Sequence, residues 1–204
     1  MTGHKEANLT RHPPRITKID RERLNGHRSF ILWFTGFSGS GKSTVAHRLE
    51  EQLFKNGVRT YVLDGDNIRT GLNRDLGFSA QDREENIRRI GEVAKLFVDA
   101  GIVVLTAFIS PYKKDRAIVR NLVGVDEFVE IYVRCPLEIC EQRDVKGLYR
   151  KARLGMVKQF TGINHPYEEP ECPEIVIETD KMNIEQCMEE ILKFLQTKKL
   201  ICRR

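Results

Sequence analysis

The chain has 204 residues, of which 40% are hydrophobic and 31% are charged, and its formal net charge is +5. This length and composition suit one α/β domain with a substantial core. The longest strongly apolar run, Ile102 to Ile109, is far shorter than the roughly 18 residues that indicate a membrane span, and the N-terminal residues show no apolar signal-peptide core. We therefore expect a cytoplasmic protein with no membrane association.

The positive charge is concentrated near the N-terminus. Residues 1–29 carry seven Lys/Arg and three Asp/Glu, whereas the rest of the chain carries 27 basic and 26 acidic residues and is nearly neutral. We interpret residues 1–28 as a basic N-terminal arm that is flexible or packs on a neighbouring surface; the alternative is an arm that grips nucleic acid. Because the body of the domain lacks a basic excess, we expect no nucleic-acid partner.

The five cysteines are an odd number and contain no Cys-x-x-Cys pair. Neither their spacing nor that of the five histidines is typical of a metal site, so we expect reduced thiols. The cysteines are Cys135, Cys140, Cys172, Cys187 and Cys202.

Apolar runs alternate with helical patterns along the chain, as a βαβ sheet requires. The first helix after a strand has Val45, Leu49, Leu53 and Phe54 on one face and a C-cap at Asn56-Gly57. The pattern predicts a five-stranded parallel sheet with helices on both faces. The predicted strands are Phe30 to Thr35, Thr60 to Leu63, Ile102 to Ile109, Phe128 to Val133 and Glu174 to Glu178.

The next helix begins at Ser79, with Asp82 as its capping-box partner, and Gly101 ends it. A final helix over Ile184 to Leu195 covers the sheet. Ligands of such sheets bind at the carboxyl ends of the strands, so the chemistry is expected in the segments that follow each strand. The apolar positions of the Ser79 helix, Ile87, Ile90, Ala94 and Phe97, recur at spacings of three and four.

A glycine-rich run from Gly36 to Ser43 lies between the first strand and the first helix. Its glycines let backbone amides converge on a polyphosphate, and the helix N-terminus adds its positive dipole end. Lys42 would reach the β- and γ-phosphates and the Ser43 hydroxyl would ligate Mg²⁺, with Thr44 in that place only if the register slipped. A Gly/Ser-rich turn with a chance lysine is the alternative. The predicted ATP-binding loop comprises Gly36, Phe37, Ser38, Gly39, Ser40, Gly41, Lys42 and Ser43.

Two carboxylates, Asp64 and Asp66, follow the second strand. A tight turn would use the same residue types, but at this position the carboxylates would face a transferred phosphoryl group, where magnesium and proton handling are needed. The third strand contains no acidic residue, although many phosphate-loop proteins place a magnesium aspartate there. The magnesium site is therefore assigned to Ser43, Asp64 and Asp66.

Several blocks in the same order closely resemble adenylylsulfate (APS) kinase. The resemblance extends from about Ile16 to Asp180, nearly the whole chain, and its motifs are specific in combination. The blocks are Asp64-Gly65-Asp66-Asn67, Gly71-Leu72-Asn73, Asp75-Leu76-Gly77-Phe78, Glu85-Asn86-Ile87-Arg88-Arg89, Phe108-Ile109-Ser110-Pro111 with Asp115-Arg116, Lys146-Gly147-Leu148-Tyr149, Phe160-Thr161-Gly162-Ile163 and Pro166-Tyr167-Glu168.

The resemblance implies a phosphate-loop kinase of the nucleoside-monophosphate-kinase type that occupies residues 29–204. The family uses MgATP to phosphorylate the 3′-hydroxyl of APS and yields 3′-phosphoadenylylsulfate (PAPS) and ADP. On this basis Asp66, Lys42 and Ser110 are the candidate catalytic residues, with Asp66 near the acceptor hydroxyl. The family commonly forms homodimers, and a separate ATP sulfurylase would supply APS.

The resemblance also implies an acceptor site. Phe78 and Phe160 correspond to the pair that sandwiches the APS adenine, a contact that gains about 1 to 3 kcal/mol per good stack. In bacterial members of the family, the serine that matches Ser110 is described as a phosphoserine intermediate. No activating base is evident beside Ser110 in the sequence, so we expect a pocket role, with non-essential covalent phosphorylation as the alternative. The implied APS-binding residues are Asp66, Arg69, Phe78, Arg83, Asn86, Ile109, Ser110, Lys146 and Phe160.

The basic segment from about residue 143 to 165 has two interpretations. A charge run of this kind is usually a solvated helix, whereas the resemblance makes it a mobile lid that closes over both nucleotides and excludes water. In the lid interpretation Lys146 contacts the nucleotide phosphates and Arg143 lies near the ATP adenine.

Three functions remain open at this point. The chain is an APS kinase, another small-molecule kinase that acts on gluconate, shikimate or a nucleoside monophosphate, or a nucleotide-binding switch without an acceptor. Phe78 with Phe160 distinguishes them, because only a nucleotide acceptor calls for a second adenine clamp.

Overall fold

The structure, a computed structural model, describes residues 12–201. Residues 1–11 of the predicted arm and Cys202 lie outside this range. The elements in chain order are α1 (Lys18–Asn25), β1 (Ile31–Thr35), α2 (Lys42–Lys55), β2 (Thr60–Asp64), α3 (Gly65–Thr70), α4 (Ala80–Asp99), β3 (Val103–Ala107), α5 (Lys113–Arg120), a 3₁₀ turn (Val125–Glu127), β4 (Phe128–Arg134), α6 (Leu137–Arg143), α7 (Leu148–Arg153), β5 (Ile175–Glu178) and α8 (Ile184–Thr197).

The five strands form one parallel sheet in the order β2-β3-β1-β4-β5. The predicted fold class is thus confirmed, and all five predicted strands are present with ends that differ by no more than two residues. In this order β1 lies between β3 and β4, so the loop that follows β1 emerges at the centre of the sheet. A central loop at the carboxyl end of a parallel sheet is the usual place for a ligand.

The two faces of the sheet carry separate apolar cores because successive strand residues point to opposite sides. Phe30, Leu32 and Phe34 face α2 and α8, whereas Ile31 and Trp33 face α4 and α5. All five are fully buried. Burial on both faces explains why β1 is a continuous apolar run rather than an alternating one.

The predicted helix ends are largely correct, and one predicted core position is wrong. Ser79 caps α4 in a capping box with Asp82, and α2 ends at Asn56 before Gly57, whose φ is 78°. Phe54 was expected on the buried face of α2, but it is 72% exposed. It follows Leu53 by one residue, which is about 100° around a helix, and the sheet contacts only the Leu53 side.

Helix α1 lies within the segment expected to be an arm, and the sequence analysis did not predict it. Its N-terminus is a capping box of Thr17 and Asp20. Arg21 donates to the carbonyl of Asp99, and Asn25 donates to the carbonyl of Gly101, so the helix contacts the end of α4 and the turn before β3. Residues 18–25 are therefore part of the folded domain.

A third apolar cluster holds the predicted lid segment against the domain. Its buried members include Tyr149 and Phe160 of that segment and Cys140 of α6, and Phe37 of the glycine-rich loop packs against them. Cys135, Cys140, Cys172 and Cys187 are free thiols, as expected. Within residues 12–201, no helix is long and apolar enough to span a membrane.

Candidate active site

A cavity of about 870 Å³ opens at the carboxyl ends of the strands, and most of the predicted site residues line it. They come from the glycine-rich loop, the segments after β2 and β3, the start of α4 and the lid segment. These residues are Ser38, Gly39, Gly41, Lys42, Ser43, Thr44, Asp64, Asp66, Arg69, Phe78, Arg83, Asn86, Ile109, Ser110, Arg143, Lys146 and Phe160.

Three predicted loop residues do not line this cavity and instead support the loop from behind. Gly36 has a φ of 149°, and a Cβ there would lie 2.5 Å from the carbonyl oxygen of Val133, so only glycine fits. The Phe37 ring packs on Tyr167, with ring centroids 4.9 Å apart. Ser40 is fully buried. Their effect on a ligand would act through the shape of the loop.

Lys42 is held by the backbone of its own loop. Its Nζ donates to the carbonyl oxygens of Gly36 at 3.0 Å and Phe37 at 2.6 Å, and the residue is only 8% exposed. Burial of the ammonium group lowers the pKa of Lys42 to about 8. The side chain is thus a desolvated cation placed at the first turn of α2, where an anion would meet little competition from water.

Ser43 and Asp64 form a pair of oxygen donors beside Lys42. The Ser43 hydroxyl donates to Asp64 Oδ2 at 2.6 Å, and Asp64 Oδ1 accepts the amide of Asp66 at 3.0 Å as the N-cap of α3. Within the described chain no cluster of three or more His, Cys, Asp or Glu side chains could hold a metal. Mg²⁺ usually takes one or two protein oxygens and completes its shell with phosphate and water, so this pair fits it.

Asp66 projects from α3 into the cavity and contacts the lid. Its carboxylate forms an ion pair with Lys146, and both side chains are more than half exposed. Asp66 on α3 and Lys146 in the lid segment, which were both predicted to act at the reacting phosphates, therefore meet across the cavity. In this ion pair each charge neutralises the other.

Phe78 and two arginines form one edge of the cavity. The Arg69 guanidinium lies 4.4 Å from the centre of the Phe78 ring and donates to the carbonyls of Leu76 and Gly77. Arg83 donates to the carbonyl of Phe78. It also donates to the carbonyl of Gln159, which lies 76 residues further along the chain. Phe78 remains 58% exposed. This edge therefore presents an open aromatic face beside two fixed cations.

Asn86 lies behind these groups and is oriented by a residue that sequence reasoning left without a role. Its Oδ1 accepts a hydrogen bond from Asn73 Nδ2 at 3.0 Å, and Asn73 is fully buried. Because the carbonyl end of the Asn86 amide is engaged, its NH₂ group is the end available to a ligand.

Ser110 is fixed on several sides. Its Oγ accepts from Trp33 Nε1 at 3.1 Å, and its carbonyl accepts from Arg116 at 2.7 Å. Its backbone is in the left-handed region with a φ of 39°, and the residue is only 2% exposed. Among residues 12–201, no side-chain base that could activate the hydroxyl as a nucleophile contacts it.

Phe160 also lines the cavity and packs edge to face on Tyr149, with ring centroids 4.8 Å apart. It is 7% exposed, much less than Phe78. The two phenylalanines line the same cavity, but the stacked pair around an adenine stays a prediction.

Arg143 and Thr179 line the cavity beside the glycine-rich loop. Arg143 donates to the carbonyl of Gly39 and to both the hydroxyl and the carbonyl of Thr179. Thr179 was not predicted as a site residue, although it directly follows β5, at the carboxyl end of the sheet where ligands bind. Tyr149, whose hydroxyl donates to the carbonyl of Ser38 at 2.8 Å, was also given no role.

The fold and the site together define a phosphate-loop kinase: a central glycine-rich loop with a buried lysine, a carboxylate pair after β2, and a second set of cations and aromatic rings across the same cavity. Residues 28–178 match the family model for adenylylsulphate kinase. The chain belongs to the adenylylsulphate kinase family, which confirms the resemblance drawn from its motifs.

Individual relatives agree with this assignment over nearly the whole chain. The chain is 62% identical to an adenylyl-sulfate kinase of Geotalea uraniireducens, over 93% of this chain and 91% of that protein. It is 58% identical to a probable adenylyl-sulfate kinase of Bacillus subtilis, over 95% and 98% of the two chains. Among solved structures, the Mycobacterium tuberculosis APS kinase in complex with AMPPNP and APS matches with a TM-score of 0.79 and 46% identity, over 83% of this chain and 99% of that chain.

Proposed function

We propose that this protein transfers the γ-phosphoryl group of MgATP to the 3′-hydroxyl of APS and releases PAPS and ADP. The observation that carries the proposal is that the phosphate loop and a second set of residues, Arg69, Phe78 and Phe160, line the same cavity. We name the side of the phosphate loop the donor half and the side of the second set the acceptor half. A small acceptor such as gluconate or shikimate needs no aromatic clamp, whereas a second nucleotide does.

In the donor half, the loop amides and Lys42 would bind the ATP phosphates. The desolvated ammonium of Lys42 strengthens its attraction for the β- and γ-phosphates. Ser43, Asp64 and Asp66 would hold Mg²⁺, and the bound ion would supply charge neutralisation. Arg143, which contacts Gly39 and Thr179, would border the ATP adenine.

In the acceptor half, Phe78 and Phe160 would stack on the APS adenine. Arg69, Arg83 and the Asn86 amide would bind the phosphosulfate and ribose, and Ile109 and Ser110 would form the floor. Asp66 would orient the 3′-hydroxyl and accept its proton late in the transfer, since phosphoryl transfer has a loose transition state in which positioning matters more than strong base catalysis.

Direct in-line transfer needs no covalent enzyme intermediate. Ser110 is only 2% exposed and its hydroxyl accepts a hydrogen bond from Trp33, so we assign Ser110 to the APS pocket. Lys146 would leave Asp66 for the nucleotide phosphates when both ligands are present. The lid would then cover the reacting groups and exclude water, which would otherwise accept the phosphoryl group.

Several features of the protein's setting also belong to the proposal. We divide the chain into an N-terminal segment (residues 1–28), whose helix α1 packs on the domain, and a kinase domain (residues 29–204) with the lid at about residues 143–165. We further propose a cytoplasmic homodimer that receives APS from a separate ATP sulfurylase. Light scattering coupled to size-exclusion chromatography would determine the mass of the assembly and contradict the dimer if a monomer eluted.

The decisive test of function is to identify the product. Purified protein is mixed with ATP, Mg²⁺ and one acceptor at a time: APS, gluconate, shikimate or AMP. Mass spectrometry should find PAPS and ADP with APS and no phosphorylated product with the other acceptors. ADP release with gluconate or shikimate and none with APS would contradict the proposal. Nucleotide binding without transfer to any acceptor would favour the switch hypothesis.

A further inference from the structure

Tyr149 is a buried residue that contacts both halves of the cavity, and the reaction as described above uses none of its groups. It lies on α7 in the lid segment and is 1% exposed. Its hydroxyl reaches the phosphate loop, and its ring reaches the acceptor clamp. These two contacts involve different parts of one side chain, so they can be separated by substitution.

The hydroxyl contact fixes a peptide of the phosphate loop. Tyr149 Oη donates to the carbonyl oxygen of Ser38 at 2.8 Å, across 111 residues of sequence. Because a peptide unit is planar, a fixed Ser38 carbonyl also fixes the amide N–H of Gly39 on the opposite side of the same plane. Both residues line the cavity, and Gly39 has a φ of 76°, a conformation that glycine adopts without strain.

The ring contact fixes Phe160. The Tyr149 and Phe160 rings meet edge to face, with an interplanar angle of 78°, inside the apolar cluster that also contains Cys140. Edge-to-face packing restrains the plane of the Phe160 ring, and that plane determines whether an adenine can stack on it.

The position of Tyr149 is itself fixed by Asp144, whose carboxylate accepts two backbone amides of the first turn of α7. Asp144 Oδ1 accepts the amide of Tyr149 at 3.0 Å, and Asp144 Oδ2 accepts the amide of Arg150 at 3.1 Å. Tyr149 is therefore attached to the lid by its backbone, to the donor half by its hydroxyl and to the acceptor half by its ring.

We propose that Tyr149 is a positioning residue for both nucleotides, with its hydroxyl shaping the ATP phosphate loop and its ring orienting the Phe160 clamp for APS. This inference rests on the proposed function for the identity of the acceptor. It predicts that loss of the hydroxyl weakens only the donor site, whereas loss of the ring weakens both sites.

Isothermal titration of Tyr149→Phe and Tyr149→Leu with AMPPNP and, separately, with APS tests this inference. Tyr149→Phe should raise the Kd for AMPPNP about 2- to 10-fold, as expected for one lost buried hydrogen bond, and leave the Kd for APS within about 2-fold. Tyr149→Leu should raise the Kd for APS by about 2- to 10-fold as well, because the edge-to-face contact is lost. Tyr61→Phe, on the edge strand β2, is the matched control and should change neither Kd.

Thermal unfolding of each Tyr149 variant shows whether a change in Kd comes from lost positioning or from lost stability of the fold. If Tyr149→Phe raised both Kd values by the same factor or changed neither, or if Tyr149→Leu left APS binding intact, the two-sided role would be wrong. If the wild-type protein bound APS but formed no PAPS, the proposed function would fail while the titrations still decided the role of Tyr149. If APS did not bind to the wild type at all, both ideas would be overturned.

Discussion

The donor and acceptor halves of the cavity are built in different ways. The centre of the donor half is one continuous loop, whose lysine is 8% exposed and donates to the loop's own carbonyls, and Asp64, Arg143 and Thr179 contact this loop from other segments. The acceptor half is assembled from α3, the start of α4, the end of β3 and the lid, and its Phe78 and Asp66 are mostly exposed. The donor lysine is thus held by its own loop, whereas the acceptor half combines fixed residues such as Arg83 and Ser110 with exposed ones such as Phe78.

This difference indicates how the two sites respond to substitution. Side chains of the donor half act at fixed positions, so their loss should reduce the rate of transfer with little change in folding. Exposed side chains of the acceptor half should affect mainly the binding of APS. Phe160 differs from these exposed side chains, because it belongs to the acceptor half and is also buried in the third apolar cluster.

The largest effect is expected at Lys42. Lys42→Met retains the aliphatic stem and removes the ammonium group, and it should lower kcat/KM for ATP by about 10³-fold, the size of effect seen when a preorganised charge-stabilising group is lost. Lys55→Met, at the exposed end of the same helix, is the matched control. A coupled ADP-release assay measures both. A Lys42→Met enzyme with more than a tenth of wild-type activity would contradict a preformed donor site.

A smaller loss is expected for Asp66→Asn. It should lower kcat by about 10²-fold, because the amide can orient a hydroxyl but accepts no proton. Asp75→Asn, an exposed aspartate paired with Arg89, should retain wild-type kcat. If Asp66→Asn changed only the KM for ATP, the carboxylate would belong to the donor half and the assignment of Asp66 to the acceptor hydroxyl would be wrong.

The two phenylalanines of the clamp should separate binding from stability. Each alanine variant should raise the KM for APS by about tenfold, in line with the loss of one stacking contact. Phe160→Ala should also lower the free energy of unfolding by about 3 to 5 kcal/mol, because it removes a buried aromatic ring. Phe78→Ala should lower it by less than about 0.5 kcal/mol, since the ring is 58% exposed. Urea unfolding and APS titration of the initial rate measure the two quantities, and equal destabilisation would contradict the contrast.

The pKa of Lys42 predicts a graded pH effect on the donor half. The free enzyme loses the Lys42 charge as the pH rises through about 8. By pH 9 kcat/KM for ATP should therefore be about tenfold below its plateau at lower pH. Steady-state kinetics from pH 6.5 to 9 at saturating APS test this, and a flat profile would contradict the depressed pKa.

Lys42 should also make the free energy of unfolding depend on pH, and this dependence has the opposite sign to that of kcat/KM. In the unfolded chain Lys42 regains its ordinary pKa of 10.5, so between about pH 8 and 10.5 the unfolded state binds more protons than the folded one. The Lys42 contribution to the free energy of unfolding should therefore rise with pH in this window. Lys42→Met should abolish this part of the pH dependence in urea unfolding without nucleotide.

The sequence was a good guide to features that are continuous along the chain. The glycine-rich loop, Asp64 and the Ser79 cap are local patterns, and local geometry determines their form. Helix α1 was missed because it is short and rich in charge, although Thr17 and Asp20 carry the capping-box signal.

The contacts that shape the site could not be predicted, because they join residues far apart in sequence. Trp33 meets the Ser110 hydroxyl across 77 residues, and Tyr149 meets Ser38 across 111. Neither partner carries a local pattern that names the other, so only the packing of strands and lid brings them together. The acceptor residues were assigned by family resemblance for the same reason.

One cavity should hold two nucleotides at once, a donor and an acceptor. Isothermal titration of APS into protein saturated with ADP and Mg²⁺ measures this. We expect one APS to bind per chain while ADP occupies the phosphate loop. A loss of APS binding that scales with ADP concentration, as simple competition requires, would show a single shared site and would rule out simultaneous binding.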